Sequence, residues 1–227
     1  MKVSYSVIAG AILLCAALGA GAQDFELVVG GGGPSFGVFM PDIAAISGFV
    51  ADSGFPALEG DLLLVGGLGR GGLVPGPTFG GSGWGAWITS TQGDLEVELG
   101  VGVGGFDLGY AIGGSENAIA AFGLLMGMGG ADLKLEGVPG DPIPVPLGIL
   151  PVPTEHVYNS VFLVLAPYAE FQLDLLDWVG VSLRAGYVWT PISYDWHDAG
   201  LPDAPSLALD GVYLSISVVF GGIFEAE

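Results

Sequence analysis

Leu95-Glu96-Val97-Glu98-Leu99-Gly100-Val101-Gly102-Val103 puts apolar side chains at every odd position and acid or glycine at every even one. A period of two is the pleat of a strand with one greasy face, and helical spacing would scatter the same residues around an axis. The pattern returns in Val179-Gly180-Val181-Ser182-Leu183-Arg184-Ala185-Gly186-Tyr187, with Trp189 continuing the apolar row. It returns again in Val212-Tyr213-Leu214-Ser215-Ile216-Ser217-Val218-Val219-Phe220. The fold class these stretches demand is all-β.

Working outward from them, strand signals fall at 24–31, 61–72, 80–91, 95–110, 118–136, 158–175, 178–190 and 207–222. One short helix is expected between the first two strands, over Pro41–Ser53. Pro41 suits a helix start, and Ile43, Ile46, Phe49 and Val50 share one helical face. The links after strands two, four and six are short: Leu73–Phe79, Ala111–Asn117 and Leu176–Asp177. Those after strands one, five and seven are long: Gly32–Gly60, Gly137–Val157 and Pro191–Ser206. In an up-and-down barrel alternate links share an end, so one end carries turns and the other loops. Gln92-Gly93-Asp94 is the exception, a short link on the long-loop side. The expected architecture is a closed antiparallel up-and-down barrel of about eight strands.

Composition agrees. The chain has 227 residues, 42 of them Gly, with 51% hydrophobic content, and its mean hydropathy is +0.67. After Ala22 no stretch approaches the ~20 apolar residues of a membrane helix, so the apolar residues are dispersed at short period. Met1–Ala22 reads as a secretory signal: Lys2, the apolar run Val7–Leu18, then Ala20-Gly21-Ala22 before Gln23. The barrel domain is expected over 23–227. Cys15, the single cysteine, lies in that run, which leaves the remainder without disulfide or thiolate metal site. Net charge is −20, with 4 Lys and Arg against 24 Asp and Glu. Nucleic acid is excluded as a partner, because phosphate binding is driven by Lys and Arg.

Whether such a barrel lies in water or lipid depends on which row faces the axis. A membrane barrel turns apolar side chains outward and polar ones inward. On that expectation Val97, Leu183 and Ile216 point away from the axis. A lumen charge cluster then gathers Glu96, Glu98, Glu170, Asp174 and Arg184, since a buried arginine needs carboxylate partners. Trp84, Trp87, Trp178, Trp189, Tyr158, Tyr168 and Tyr187 are candidates for girdles at the two interfaces. Eight strands enclose a lumen that side chains fill, which argues against an open pore.

With these features the chain resembles the small eight-stranded outer-membrane β-barrel proteins, over roughly residues 23–224 and at the level of architecture. The most specific part is the last strand, where Val212, Leu214, Ile216, Val218, Phe220 and Phe224 keep one parity. Such proteins usually end in a strand of this kind with a terminal phenylalanine. Here Glu225-Ala226-Glu227 follows Phe224 and departs from the pattern. The resemblance implies export to the outer membrane and contact with its lipid, with a structural or surface-interaction role. Loops 32–60, 137–157 and 191–206 would face outward, the last two being the candidates for a surface partner.

Catalytic chemistry finds little support. Gly67-Leu68-Gly69-Arg70-Gly71-Gly72 matches a dinucleotide pattern by letter, but Pro75 and Pro77 follow where a helix is needed. Gly100–Gly105 matches too and continues as strand. Asp195, His197 and Asp198 are weak candidates to ligate a divalent ion, with Glu155 and His156 from the neighbouring loop. Pro139, Pro142, Pro144, Pro146, Pro151 and Pro153 stiffen that loop. No cofactor and no enzyme activity is expected. The alternative is a secreted, water-soluble β-barrel that binds a small apolar ligand.

Overall fold

The computed structural model describes residues 27–115, 117–137, 155–193 and 209–225. Eight strands follow in order: β1 (Leu27–Pro41), β2 (Leu62–Val74), β3 (Gly76–Gln92), β4 (Leu95–Ser115), β5 (Ala118–Glu136), β6 (Glu155–Leu176), β7 (Val179–Val188) and β8 (Gly211–Glu225). Each pairs antiparallel with its neighbours in sequence, and β1 also pairs with β8, so the ring closes. The all-β up-and-down barrel read from the sequence is the fold adopted.

Register fixes the barrel's shape. A path across the ladders runs from Val29 through Gly72, Thr78, Gly109, Gly123, Tyr168, Gly186 and Tyr213, and returns to β1 at Phe39, ten residues further on. A stagger of that size over eight strands tilts them by about 40° to the axis. Two inward rings close over inward glycines on this path. Tyr168 lies against Gly123, and Tyr213 against Gly186, where a Cβ would stand 2.4 Å from the Tyr213 ring.

The rim is oblique. The last β2–β3 pair is Leu63↔Trp87, yet β3 and β4 stay paired through Gln92↔Leu95. On the far side β5 and β6 stay paired up to Glu136↔Glu155. The β3–β6 wall therefore stands roughly 10–15 Å above the rest at the long-loop end.

The first strand differs from expectation. It runs to Pro41, not to position 31, and takes in Gly30–Gly33 and Pro34. Pro41 thus ends a strand, and α1 covers Ala44–Asp52. The helix stops at Gly54 (φ 86°), where Gly54 N donates to Ala51 O and Phe55 N to Val50 O. Such a left-handed glycine followed by an apolar contact is a common helix terminator. Ile46 and Val50 are buried, and Phe49 meets Tyr158 edge-on at 5.8 Å. These contacts seat α1 on the inner side of the tall wall.

Two amphipathic regimes follow one another along the strands. In β4 the outward row reads Ile112, Tyr110, Leu108 and Phe106, then Gly104, Gly102 and Gly100, then Glu98 and Glu96. Its inward row reads Ala111 and Asp107, then Val103, Val101, Leu99 and Val97. Greasy side chains are outside near the short-turn end and inside near the long-loop end. Leu183 (53% exposed) and Ile216 (48%) face out as expected, but Val97 (0%) faces in and Glu96 faces solvent. The physical reason is the length of the tall wall: its upper part stands beyond the outer apolar belt and behaves like a water-soluble sheet. There Val97, Leu99, Leu133, Leu135 and Tyr158 form one core with Ile46, Val50, Phe55 and Leu58.

Aromatic placement divides similarly. Trp87 and Trp178 are exposed, the latter stacked on Phe220 at 6.5 Å, and Trp189 is half-buried. Trp84, Tyr158 and Tyr168 are inside and cannot join a girdle; Trp84 packs on Phe39 at 5.2 Å.

Candidate functional site: a polar layer inside the barrel

Between the upper core and a small apolar cluster at the short-turn end (Val29, Val74, Ala111, Ile119, Ala121) lies a polar layer. Strand alternation places it: Arg70 on β2, Asp107 on β4, Glu170 and Gln172 on β6, and Ser182 and Arg184 on β7 all sit at inward positions and are buried. Glu170 is its centre. Arg184 donates to Glu170 Oε2 from Nε (2.9 Å) and Nη2 (2.7 Å), and Ser182 Oγ donates to Oε1 at 2.5 Å. Arg70 Nη1 lies 3.2 Å from Oε1, and Arg70 Nη2 donates to Gln172 Oε1 at 3.0 Å. Arg184 Nη1 also reaches both Asp107 oxygens at 3.3 Å, and its guanidinium lies 3.9 Å over the Tyr168 ring.

Two guanidinium groups are thus balanced by two carboxylates, and Glu170 is saturated with donors. A saturated carboxylate between two arginines is neither a free base nor a nucleophile. It is a brace that ties β2, β4, β6 and β7 together across the lumen. Asp174 is half-buried lower on β6, accepting from Gln172 Nε2 and from Ile223 N, both at 2.8 Å. The void beside Arg184, lined by Ser35, Ser82, Tyr213 and Ser215, is about 20 Å³, room for about one water.

Of the five residues expected in a lumen cluster, Glu170 and Arg184 touch and Asp174 joins through Gln172. Glu96 and Glu98 do not belong: both point to solvent on the tall wall, because the polar row of β4 changes sides relative to the core near Gly104. Asp107 takes the place expected of them. Arg70 was hidden by its glycine neighbours, although Leu62, Leu64, Leu68 and Arg70 share one parity. Asp195, His197 and Asp198 lie outside the described residues, as do the Met1–Ala22 segment and most of the loop 137–157. Among the described residues no group of three or more His, Cys, Asp or Glu could hold a metal.

No family model matches the chain, and no curated protein does. Among solved structures it is similar to Ail, the attachment invasion locus protein of Yersinia pestis. The structure of Ail with the heparin analogue sucrose octasulfate aligns at TM-score 0.48 and 10% identity, covering 87% of this chain and 100% of that one. A second Ail structure aligns at TM-score 0.44, with the same identity and coverage.

Proposed function

We propose that this chain is an exported outer-membrane β-barrel protein with a structural or surface-interaction role, its lumen filled rather than open. The observation that carries this reading is the reversal along β4. An outward apolar belt, made by Phe106, Leu108, Phe171, Leu183, Ile216 and their neighbours, encloses a charged interior. Water would expose that belt, whereas hydrocarbon accepts it. About 9–11 tilted residues cross a bilayer, so β4, with 21, and β6, with 22, must project beyond it. The upper core under α1 suits that projecting part.

The brace crosses the middle of the lumen, and an apolar core lies above it. The reading is therefore of an anchor or contact protein, not a channel or an enzyme. Its surface partner would meet the long-loop end, including 137–157 and 191–206. That end offers Glu96, Glu98, Asp132 and Glu136, with Lys134 paired to Glu136 at 3.0 Å, while both arginines are inside the ring. Such a surface repels sulfated glycans and phosphates.

Detergent dependence tests the assignment. The mature chain should aggregate in plain buffer and stay monodisperse in detergent, and it should migrate differently on gels with and without boiling. A monodisperse species in buffer alone would defeat the membrane reading and favour the soluble carrier. Planar-bilayer recordings should show no steady conductance.

A further inference from the structure

Two strand prolines lie well away from strand ends, and each removes a donor from a ladder that bounds the β7–β8 hairpin. In the β1–β8 ladder Asp42 N donates to Asp210 O at 2.9 Å, so even-numbered β1 residues direct their N–H toward β8. Pro34 is even, has no N–H, and falls opposite Val218. The pairing steps from Gly32↔Phe220 to Ser35↔Ser217 and skips the two positions between. In the β6–β7 ladder Leu165 and Trp189 exchange both bonds at 2.9 Å, so odd-numbered β6 residues face β7. Pro167 is odd and falls opposite Tyr187. Regular pairing stops at Tyr168↔Gly186 and resumes as an isolated bridge at Leu165↔Trp189.

Within the hairpin, by contrast, β7 and β8 pair without a break from Val179↔Phe220 to Val188↔Gly211. The β3–β4 ladder is also unbroken, from Gly76↔Ala111 to Gln92↔Leu95. On the lumen side, both weakened seams are crossed by side chains. Arg184 and Ser182 of β7 hold Glu170 of β6, and Ser217 Oγ of β8 donates to Ser35 Oγ of β1 at 3.0 Å.

We propose that β7 and β8 form a movable panel of the wall. The panel parts from β6 and β1 as one unit before any other strand pair separates. The Glu170–Arg184 and Ser35–Ser217 contacts are its latches. Parting at β6–β7 would open the polar layer sideways, toward whatever surrounds the ring. The inference rests on the closed ring and its ladders, and holds in lipid or in detergent.

Hydrogen exchange read by mass spectrometry on the protein in phospholipid nanodiscs tests it, because exchange reports local opening strand by strand. Peptides from β7 and β8 should exchange at one common rate, at least about tenfold faster than those from β4 and β5. In a Cys15→Ala background, Ser35→Cys with Ser217→Cys should slow both strands together when oxidised and not when reduced. Pro34→Ala with Pro167→Ala, which restores the donors, should slow them as well. Equal exchange in β7–β8 and β4–β5 would overturn the proposal, as would β7 and β8 exchanging independently. Should the alanine pair fail to fold, the oxidised-to-reduced comparison within one protein decides by itself.

Discussion

Glu170 and Arg184 stand directly opposite each other in the β6–β7 ladder, and Arg184 Nη2 lies 2.7 Å from Glu170 Oε2. Glu170 also faces Arg70, so the two partners are not equivalent. Glu170→Leu takes the carboxylate from buried Arg70, leaves Arg184 only its 3.3 Å contact with Asp107, and should cost about 3–5 kcal/mol. Arg184→Leu leaves Glu170 its Arg70 contact, takes from Asp107 only the longer 3.3 Å contact, and should cost less. Urea titrations followed by the boiled-versus-unboiled gel shift would rank the pair, and the reverse order would demote Glu170 from the centre of the layer.

The outer belt makes a prediction of height. Leu183→Arg, in the belt, should destabilise the lipid-embedded protein by about 2–4 kcal/mol. Glu98→Arg, on the projecting wall, sets a second cation opposite Lys134 and should cost no more than about 1 kcal/mol. Equal penalties in lipid vesicles would mean that the belt has been placed at the wrong level.

Above the belt, stability should come from ordinary core packing. Leu99 is fully buried in the upper core that also holds Ile46 and Val50 of α1, and Leu99→Ala should cost roughly 2–5 kcal/mol, in detergent as in lipid. Trp84 belongs to the same core, so its fluorescence is a suitable reporter. A negligible loss would mean that α1 is not seated where it is described.

Glycine is required at some positions and free at others. At Gly186 an added methyl would meet the Tyr213 ring at 2.4 Å, whereas at Gly102 it would meet nothing within 4 Å. Gly186→Ala should cost about 1–3 kcal/mol as the ring is displaced, and Gly102→Ala should be close to neutral. Parallel thermal unfolding of the two variants checks the contrast.

Salt should stabilise this protein. Glu96 and Glu136 are directly opposed across β4–β5, and like charges so placed repel by roughly 0.2–1 kcal/mol. Raising sodium chloride from 10 mM-scale to molar-scale levels screens exposed charges. The unfolding midpoint should rise accordingly, and Glu96→Gln should rise less. A fall with salt would point instead to exposed ion pairs as the dominant surface term.

Period two was readable in the stretches without glycine runs, and the strand expected at 118–136 matches β5 to the residue although glycine blurs its alternation. What alternation does not carry is the sign of each face. Leu95–Val103 and Val179–Tyr187 have the same pattern and opposite orientations, because one lies above the belt and the other within it. That difference is set by height along the axis, a product of strand tilt and register that no single segment contains. Arg184 and Glu170 were legible because a lone cation in an alternating strand demands an acid. Arg70 was not, since glycines on both sides erase the alternation that would mark it as inward. For the same reason Gly32 and Gly33 read as part of a link although they are strand.

The β3–β4 connection is a tight reversal at Gly93 (φ 62°) and Asp94, on the upper rim of the tall wall. Peptide spliced between those two residues would be displayed far from the outer apolar belt on a stiff ribbon. Its loop-closure cost would grow only slowly with length. The molecule is thereby a ready display scaffold, with a grafting point that disturbs neither the brace nor the belt.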